Sequence, residues 1–268
     1  MRNMASMVSD FEIIDFHTHP FCNRETNICS YKKNYDMDYK KIPEVMRSFG
    51  ISKMCGSHFY IDGRENFKNV MERIQCENRA ALKLRDEFDG FYYPGFHVHP
   101  DYVEESLAEI ELMHKEGIRL IGELVPYIHE WKTYNHPGLD PILDLCAKYN
   151  IVVSFHEMNS DTATEMVKNH PDVMFVAAHP NEYDGVMMHL DRMKKYENVC
   201  LDISGTGIFR YHAIKHLVDR LGAERILFGT DYPVCNPGVY IGGLFTEGFT
   251  DSQLEKMFSL NAKRLLGI

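Results

Sequence analysis

Short apolar runs recur along the chain, and each is followed by a stretch whose apolar residues fall at helical spacing. The runs end near His17, Ser57, His97, Glu123, His156, His179, Ile203 and Gly229, which predicts eight strands. Between the first two, Ile42, Val45, Met46 and Phe49 lie at i, i+3, i+4 and i+7, and Gly50 stands where a C-terminal cap belongs. Thr250 and Gln253 are spaced as a capping box ahead of Leu254, Met257 and Phe258, which predicts a closing helix. The repeat averages roughly 30 residues, the length of a βα unit. Strands alternating with helices favour parallel pairing, and closure leaves no sheet edge, so the expected α/β architecture is a (β/α)8 TIM barrel. A doubly wound open sheet is the alternative, because local pattern does not establish closure. No Pro/Gly/Ser-rich linker and no internal repeat divides the chain, so residues 1–268 are expected to form a single domain. The longer predicted loops, 20–36, 58–64 and 232–248, each follow a strand and therefore belong to the C-terminal face, where barrel active sites are built.

Composition narrows the partners. With 268 residues and 44% hydrophobic content the chain can bury a large core. A formal net charge of -10 argues against nucleic acid and anionic membrane surfaces, which are bound through Lys and Arg, and leaves a small molecule as the expected substrate. No run approaches the roughly 18 apolar residues of a membrane span, and Met1 to Asp10 lacks the apolar stretch of a secretory signal, so a cytoplasmic protein is expected. Seven cysteines, an odd number without a C-x-x-C pair, read as free thiols.

The chemistry gathers where strands end. His17 and His19 close the first run; Glu123, His156, His179 and Asp231 close the fourth, fifth, sixth and eighth. Residues i and i+2 of a strand face the same way, so His17 and His19 are expected to point together. A core strand has no packing reason to finish on an ionisable group, and burying one unpaired is costly. Any one of them could face water or cap the next helix; their recurrence on one face of a barrel argues for a shared site. Imidazoles and carboxylates suit divalent ions, and a catalytic site keeps a position open. A metal lowers the pKa of bound water from 15.7 to about 7, making it a nucleophile. Asp231 could then hold the metal and take the water's proton, with His179 polarising the substrate or hydrogen-bonding the developing oxyanion.

Asp15-Phe-His17-Thr-His19, the single histidines after strands five and six, and Gly229-Thr-Asp231-Tyr-Pro together resemble the amidohydrolase superfamily. The resemblance is closest to its amidohydrolase-related branch, which includes aminocarboxymuconate semialdehyde decarboxylase-like enzymes, and extends to the terminal Asn261-Ala-Lys-Arg-Leu-Leu. It implies metal ligation by His17, His19, His156 and Asp231, with His179 a second-metal ligand or a catalytic histidine. Many two-metal members carry a carboxylated lysine after strand four, where this chain has Glu123. Ile121-Gly-Glu123-Leu is similar to the glutamate-bridged sites of TatD-like deoxyribonuclease relatives, so the resemblance makes Glu123 a ligand and favours two ions. Decarboxylase-like members manage with one, and there Glu123 is only a neighbouring carboxylate. Zinc is the first expectation for the ion, with manganese, nickel and iron also suited to these ligands. Superfamily members are often dimers, so the resemblance makes a homodimer an expectation.

Secondary signals are weaker. His97-Val-His99-Pro100 repeats the first motif; the superfamily takes no ligand there, and His99 is expected at most to contact substrate. Gly205-Thr-Gly207 reads as a tight turn, since the phosphate-loop fingerprint fails at Arg210. Tyr127, His129 and Trp131 after Glu123, and Tyr232 after Asp231, could shape a pocket, with Tyr127 and Tyr232 the substrate-binding candidates. Arg24, His58 and Arg64 could meet a carboxylate, or simply sit in loops. The leading expectation is a metal-dependent hydrolase that uses a metal-activated water to cleave a C-N or C-O bond in an amide, ester or lactone. The alternatives are a non-hydrolytic metal-dependent decarboxylase of an unsaturated or aromatic acid and a metal-binding protein without turnover.

Overall fold

The computed structural model describes residues 7–158 and 160–268. The first six residues of the segment read as lacking a secretory signal thus lie outside the described residues. Eight strands appear in order: β1 (Ile13–Thr18), β2 (Ile51–Ser57), β3 (Tyr92–Gly95), β4 (Leu120–Leu124), β5 (Val152–His156), β6 (Phe175–Ala178), β7 (Val199–Asp202) and β8 (Ile226–Leu227). Each strand ends within two residues of its expected end. Helices α1 (Ile42–Ser48), α2 (Val70–Glu87), α3 (Val103–Lys115), α4 (Leu139–Tyr149), α5 (Ser160–Asn169), α6 (Tyr183–Lys195) and α7 (Ala213–Leu221) separate them, followed by α8 (Pro237–Thr246).

Pairing is parallel throughout, within runs β1-β2-β3 and β4-β5-β6-β7-β8. The two runs join into a closed barrel. On one side Phe96 N donates to Leu120 O at 3.0 Å and Gly122 N donates to Phe96 O at 2.8 Å. On the other, Phe16 N donates to Phe228 O at 2.8 Å and His19 N donates to Tyr232 O at 2.7 Å. Ile14, Cys55, Leu120, Val152, Val176, Cys200 and Leu227, from seven strands, form one buried cluster, which requires that they point into the barrel. Leu265 and Leu266 of the last helix complete this cluster and plug the barrel floor. The larger cluster lies between strands and helices.

The final helical run consists of α9 (Asp251–Glu255), a π-turn (Lys256–Leu260) and α10 (Asn261–Leu266). Its Thr250/Gln253 capping box forms, and Leu254, Met257 and Phe258 are buried. Met257 O in the π-turn accepts from Phe228 N at 2.9 Å, where two-residue β8 is too short to supply a longer ladder. The predicted loop 232–248 is corrected: it contains α8, started by Asn236, whose side chain caps Gly238 N, and by Pro237 at the first turn. Val45, assigned to the apolar face of α1, is exposed, while Ile42 and Met46 are buried. All seven cysteines are free. No helix among the described residues is long and apolar enough to cross a membrane.

Candidate active site

His17 stands one residue before the end of β1 and His19 directly after it, and their Nε2 atoms lie 3.0 Å apart. His17 Nδ1-H donates to Asp202 Oδ2 at 2.9 Å, and His19 Nδ1-H donates to Ser57 O at 3.0 Å. Carboxylate and carbonyl can only accept, so in the neutral rings both Nε2 atoms present lone pairs to one another. Two lone pairs that close repel unless a cation or a proton lies between them. Carboxylates surround the same point: Asp231 Oδ1 is 3.3 Å from His19 Nε2, and Glu123 Oε2 is 3.5 Å from His17 Nε2 and 3.7 Å from His19 Nε2. His179 Nε2 reaches Glu123 Oε1 at 3.4 Å, with its Nδ1-H held by Ser204 O at 3.1 Å. A ring N-H fixed by the protein with the other nitrogen facing the centre is the arrangement of metal-binding histidines. His156 approaches through Nδ1, 2.7 Å from Glu123 Oε1. The donor set therefore fits a divalent cation.

The electrostatics point the same way. Burial opposes the charge on Glu123, but His17 and His156 hold its carboxyl well below the ordinary carboxylate range. Burial likewise opposes protonation of His17, yet Asp202 and Glu123 raise its pKa well above the usual histidine value. A field that draws a proton this strongly onto His17 would draw a cation too.

Two further residues brace the ring. Asp15, fully buried, accepts from Thr230 N at 3.0 Å and from Thr230 Oγ1 at 2.5 Å, tying β1 to the turn that carries Asp231. Burial pushes its pKa up to about 7. Asp231 and His179 both adopt left-handed backbone, with φ of 65° and 71°. That conformation costs a non-glycine residue about 1–3 kcal/mol and persists where surrounding contacts impose it. Gly205 is required beside His179: a Cβ there would lie 2.4 Å from the His179 ring. Gly205-Thr-Gly207 forms a bend, not the tight turn expected, with Thr206 O accepting from Asn181 N, and the hydrogen-bonded turn follows it, Gly207 O accepting from Arg210 N.

The structure brings together all six strand-end candidates, His17, His19, Glu123, His156, His179 and Asp231, at the barrel mouth. Tyr127 stands beside them, 57% exposed, its ring edge-on to His156 at 5.7 Å. Tyr232 is buried, and its ring borders a groove shared with Phe21, Met37 and Cys235. His99 is corrected as a substrate contact. It is buried, its Nε2-H donates to His129 O at 2.8 Å, and its Nδ1 accepts from Asp101 N at 3.1 Å, leaving no ring nitrogen for a ligand. His58 Nδ1-H donates to Pro20 O, and Arg64 donates to Ile61 O and Ile128 O, so both serve loop packing. Arg24 lines an open surface cavity with Lys33 and Asn34.

Asp15 stands in the His17/His19 motif without a role read for it, and Asp202 and Ser204 escape sequence reasoning. Asp202 had a visible signal, a carboxylate ending the seventh strand, but Ile203 behind it extended the apolar run. A second group, Glu77, His97 and His129, also brings ligand atoms within 4.8 Å of one another. There the carboxylate is already engaged: His129 Nε2-H donates to Glu77 Oε2 at 2.8 Å, and the Arg73 guanidinium lies 3.9 Å away.

A closed parallel barrel with clustered imidazoles and carboxylates at its C-terminal mouth defines the class: a TIM-barrel protein with a candidate metal centre. A family model described as Amidohydrolase matches residues 14–268, and the chain belongs to that family. No curated protein matches the chain in sequence. Solved structures that resemble it include an uncharacterised TIM-barrel protein from Bordetella bronchiseptica, 17% identical with a TM-score of 0.74, covering 96% of this chain and 99% of that one. A 2,6-dihydroxybenzoate decarboxylase from Rhizobium is 15% identical with a TM-score of 0.73 over 96% of this chain and 99% of its own. A 5-carboxyvanillate decarboxylase from Novosphingobium aromaticivorans, complexed with manganese and 4-hydroxy-3-methoxy-5-nitrobenzoic acid, is 15% identical with a TM-score of 0.72 over 96% of each chain.

Proposed function

We propose that the chain is a metal-dependent, non-hydrolytic decarboxylase of a hydroxylated aromatic acid, working with a single divalent ion. The observation that carries this reading is the commitment of His17. Within the strand-end cluster, two groups of described residues bring their ligand atoms close enough to hold an ion, His17/His19/Asp231 and His17/Glu123/His179, and both include His17. Its Nδ1 is taken by Asp202, so it offers one lone pair, on Nε2, and can serve only one ion. That favours one ion over the two expected from the Glu123 motif. The decarboxylases among the similar structures support the chemistry, and the manganese complex supports manganese ahead of zinc. His17, His19, Asp231 and Glu123 would hold the ion, with His179 beside it.

A bound divalent ion would act as a Lewis acid toward the oxygens of the substrate. The protein residues do the rest. Tyr127, at the open edge of the site, offers a flat face and a hydroxyl to an aromatic acid. Decarboxylation breaks the bond between ring carbon and carboxylate, releases CO2 and places one proton on that carbon. Asp231, whose side chain keeps 14% exposure while Glu123 keeps 5%, is the carboxyl group that can take a proton from solvent and deliver it. The test is direct: the protein is loaded with manganese and offered 2,6-dihydroxybenzoate and 5-carboxyvanillate alongside a panel of lactones, esters and amides. CO2 release that a chelator abolishes and Asp231→Asn removes is the expected result. Turnover confined to the lactone, ester or amide panel would restore hydrolysis as the function.

A further inference from the structure

We propose that Glu77 is a positioning residue: through His129 it fixes the loop that holds Tyr127 over the ion-binding cluster. The inference rests on the reading of that cluster as catalytic. Glu77 lies on α2 and is fully buried, and both its oxygens are used. Oε2 accepts from His129 Nε2-H at 2.8 Å and Oε1 accepts from Tyr60 N at 2.8 Å. One turn earlier on the same helix, Arg73 Nη2 donates to Ile128 O at 2.7 Å and pairs with Glu130 at 3.2 Å. His99 Nε2-H donates to His129 O at 2.8 Å, and Arg64 Nη1 donates to Ile128 O at 3.4 Å. Two carbonyls and one ring, all within two residues of Tyr127, are therefore gripped from outside their own loop.

Tyr127 needs that grip because its ring is mostly exposed and meets the protein edge-on at His156. Its direction is set by the backbone on which it sits. Glu123 and Asp231 nonetheless reach it: after burial, they are what raises the pKa of its phenol. The second His-x-His motif finds its use here, with His99 on the loop's carbonyl and the His97 ring packed at a tilt against His129, centroids 4.6 Å apart. A buried carboxylate-imidazole pair is a costly way to fill a core but a directional one, since each bond fixes an angle as well as a distance.

Glu77→Gln tests the proposal, because glutamine matches the size of glutamate and its amide oxygen can accept from Tyr60 N, but its NH2 group then meets His129 Nε2, which can accept only if the ring proton moves to the buried, unpartnered Nδ1. In the manganese-loaded full chain, E77Q is expected to raise amide hydrogen exchange in residues 125–131 by about tenfold or more, with β1 and β8 unchanged. Unaltered exchange in that segment overturns the clamp. With 2,6-dihydroxybenzoate as the probe, E77Q should lower kcat/KM by about ten- to a hundredfold, and the E77Q/Y127A double variant should be no worse than Y127A alone. Losses that add would mean a merely structural role and overturn the proposal. If the wild-type chain decarboxylates no aromatic acid, the decarboxylase reading falls separately and the exchange comparison still decides the clamp. Should E77Q fail to fold, His129→Asn removes the same bond and is read by the same two measurements.

Discussion

His17 illustrates how one residue can be bound to two tasks by the geometry of its ring. Nδ1 is spent on Asp202, and that bond aims Nε2 at the point shared with His19, Glu123 and Asp231. Asp202→Asn is therefore expected to weaken manganese affinity about 10- to 100-fold, measured by chelator competition, with the circular dichroism spectrum retained. Gly205→Ala acts on the other side of the site, forcing a methyl group into the His179 ring at a φ of 63°. The expected cost is about 1–3 kcal/mol in urea unfolding. The ligand candidates were legible in the sequence because an ionisable group at the end of an apolar run has no packing explanation. Asp15 and Asp202 were not, because each lies inside or just before apolar neighbours that hide it: Asp15 between Ile14 and Phe16, Asp202 ahead of Ile203. The Glu77-His129 pair was beyond local reading altogether, since its members are 52 residues apart.

Among elements, strands were easier to recognise than the helix between β8 and α9. Eight apolar runs survive any small error in their ends, whereas α8 carries Gly238, Gly242 and Gly243 and resembles a loop until Asn236 is seen as its cap and Pro237 as its first residue. The Thr250/Gln253 capping box was readable because both partners lie within one turn, and the structure forms both of its bonds. Thr250→Ala should cost about 1 kcal/mol of unfolding free energy, visible as a lower urea midpoint with unchanged slope. The π-turn behind it had no sequence signature. It is understood only against the end of β8, where the N-H of the next residue, Phe228, donates to the Met257 carbonyl.

At the scale of the whole molecule, the barrel hides several neutral histidines. Burial first, and His129 next, lower the pKa of His97 to about 3; burial first, and Arg192 next, lower that of His189 to about 3. Burial also lowers His58, and lowers His129 well below the ordinary value. In each case the folded pKa lies below the unfolded value, so the stability they confer is complete above about pH 6.5. It falls as pH drops toward 3, because the unfolded chain takes up protons that the folded chain refuses. His97→Gln should flatten the loss of unfolding free energy between about pH 6 and 4 by about 1.4 kcal/mol per pH unit, measured by urea titration at several pH values. The barrel closes on itself at a seam between its first and eighth strands. β1 and β8 come from opposite ends of the chain, and Asp15-Thr230, Asp231-His17 and Tyr232-His19 stitch them together. An ion held by His17 and His19 from one end and Asp231 from the other would work as a buckle on that seam. On a ribosome the buckle cannot fasten until the final strand has emerged, so a half-made chain would carry no armed site. In the finished protein, the buckle's release would be felt first as loosening of the two ends.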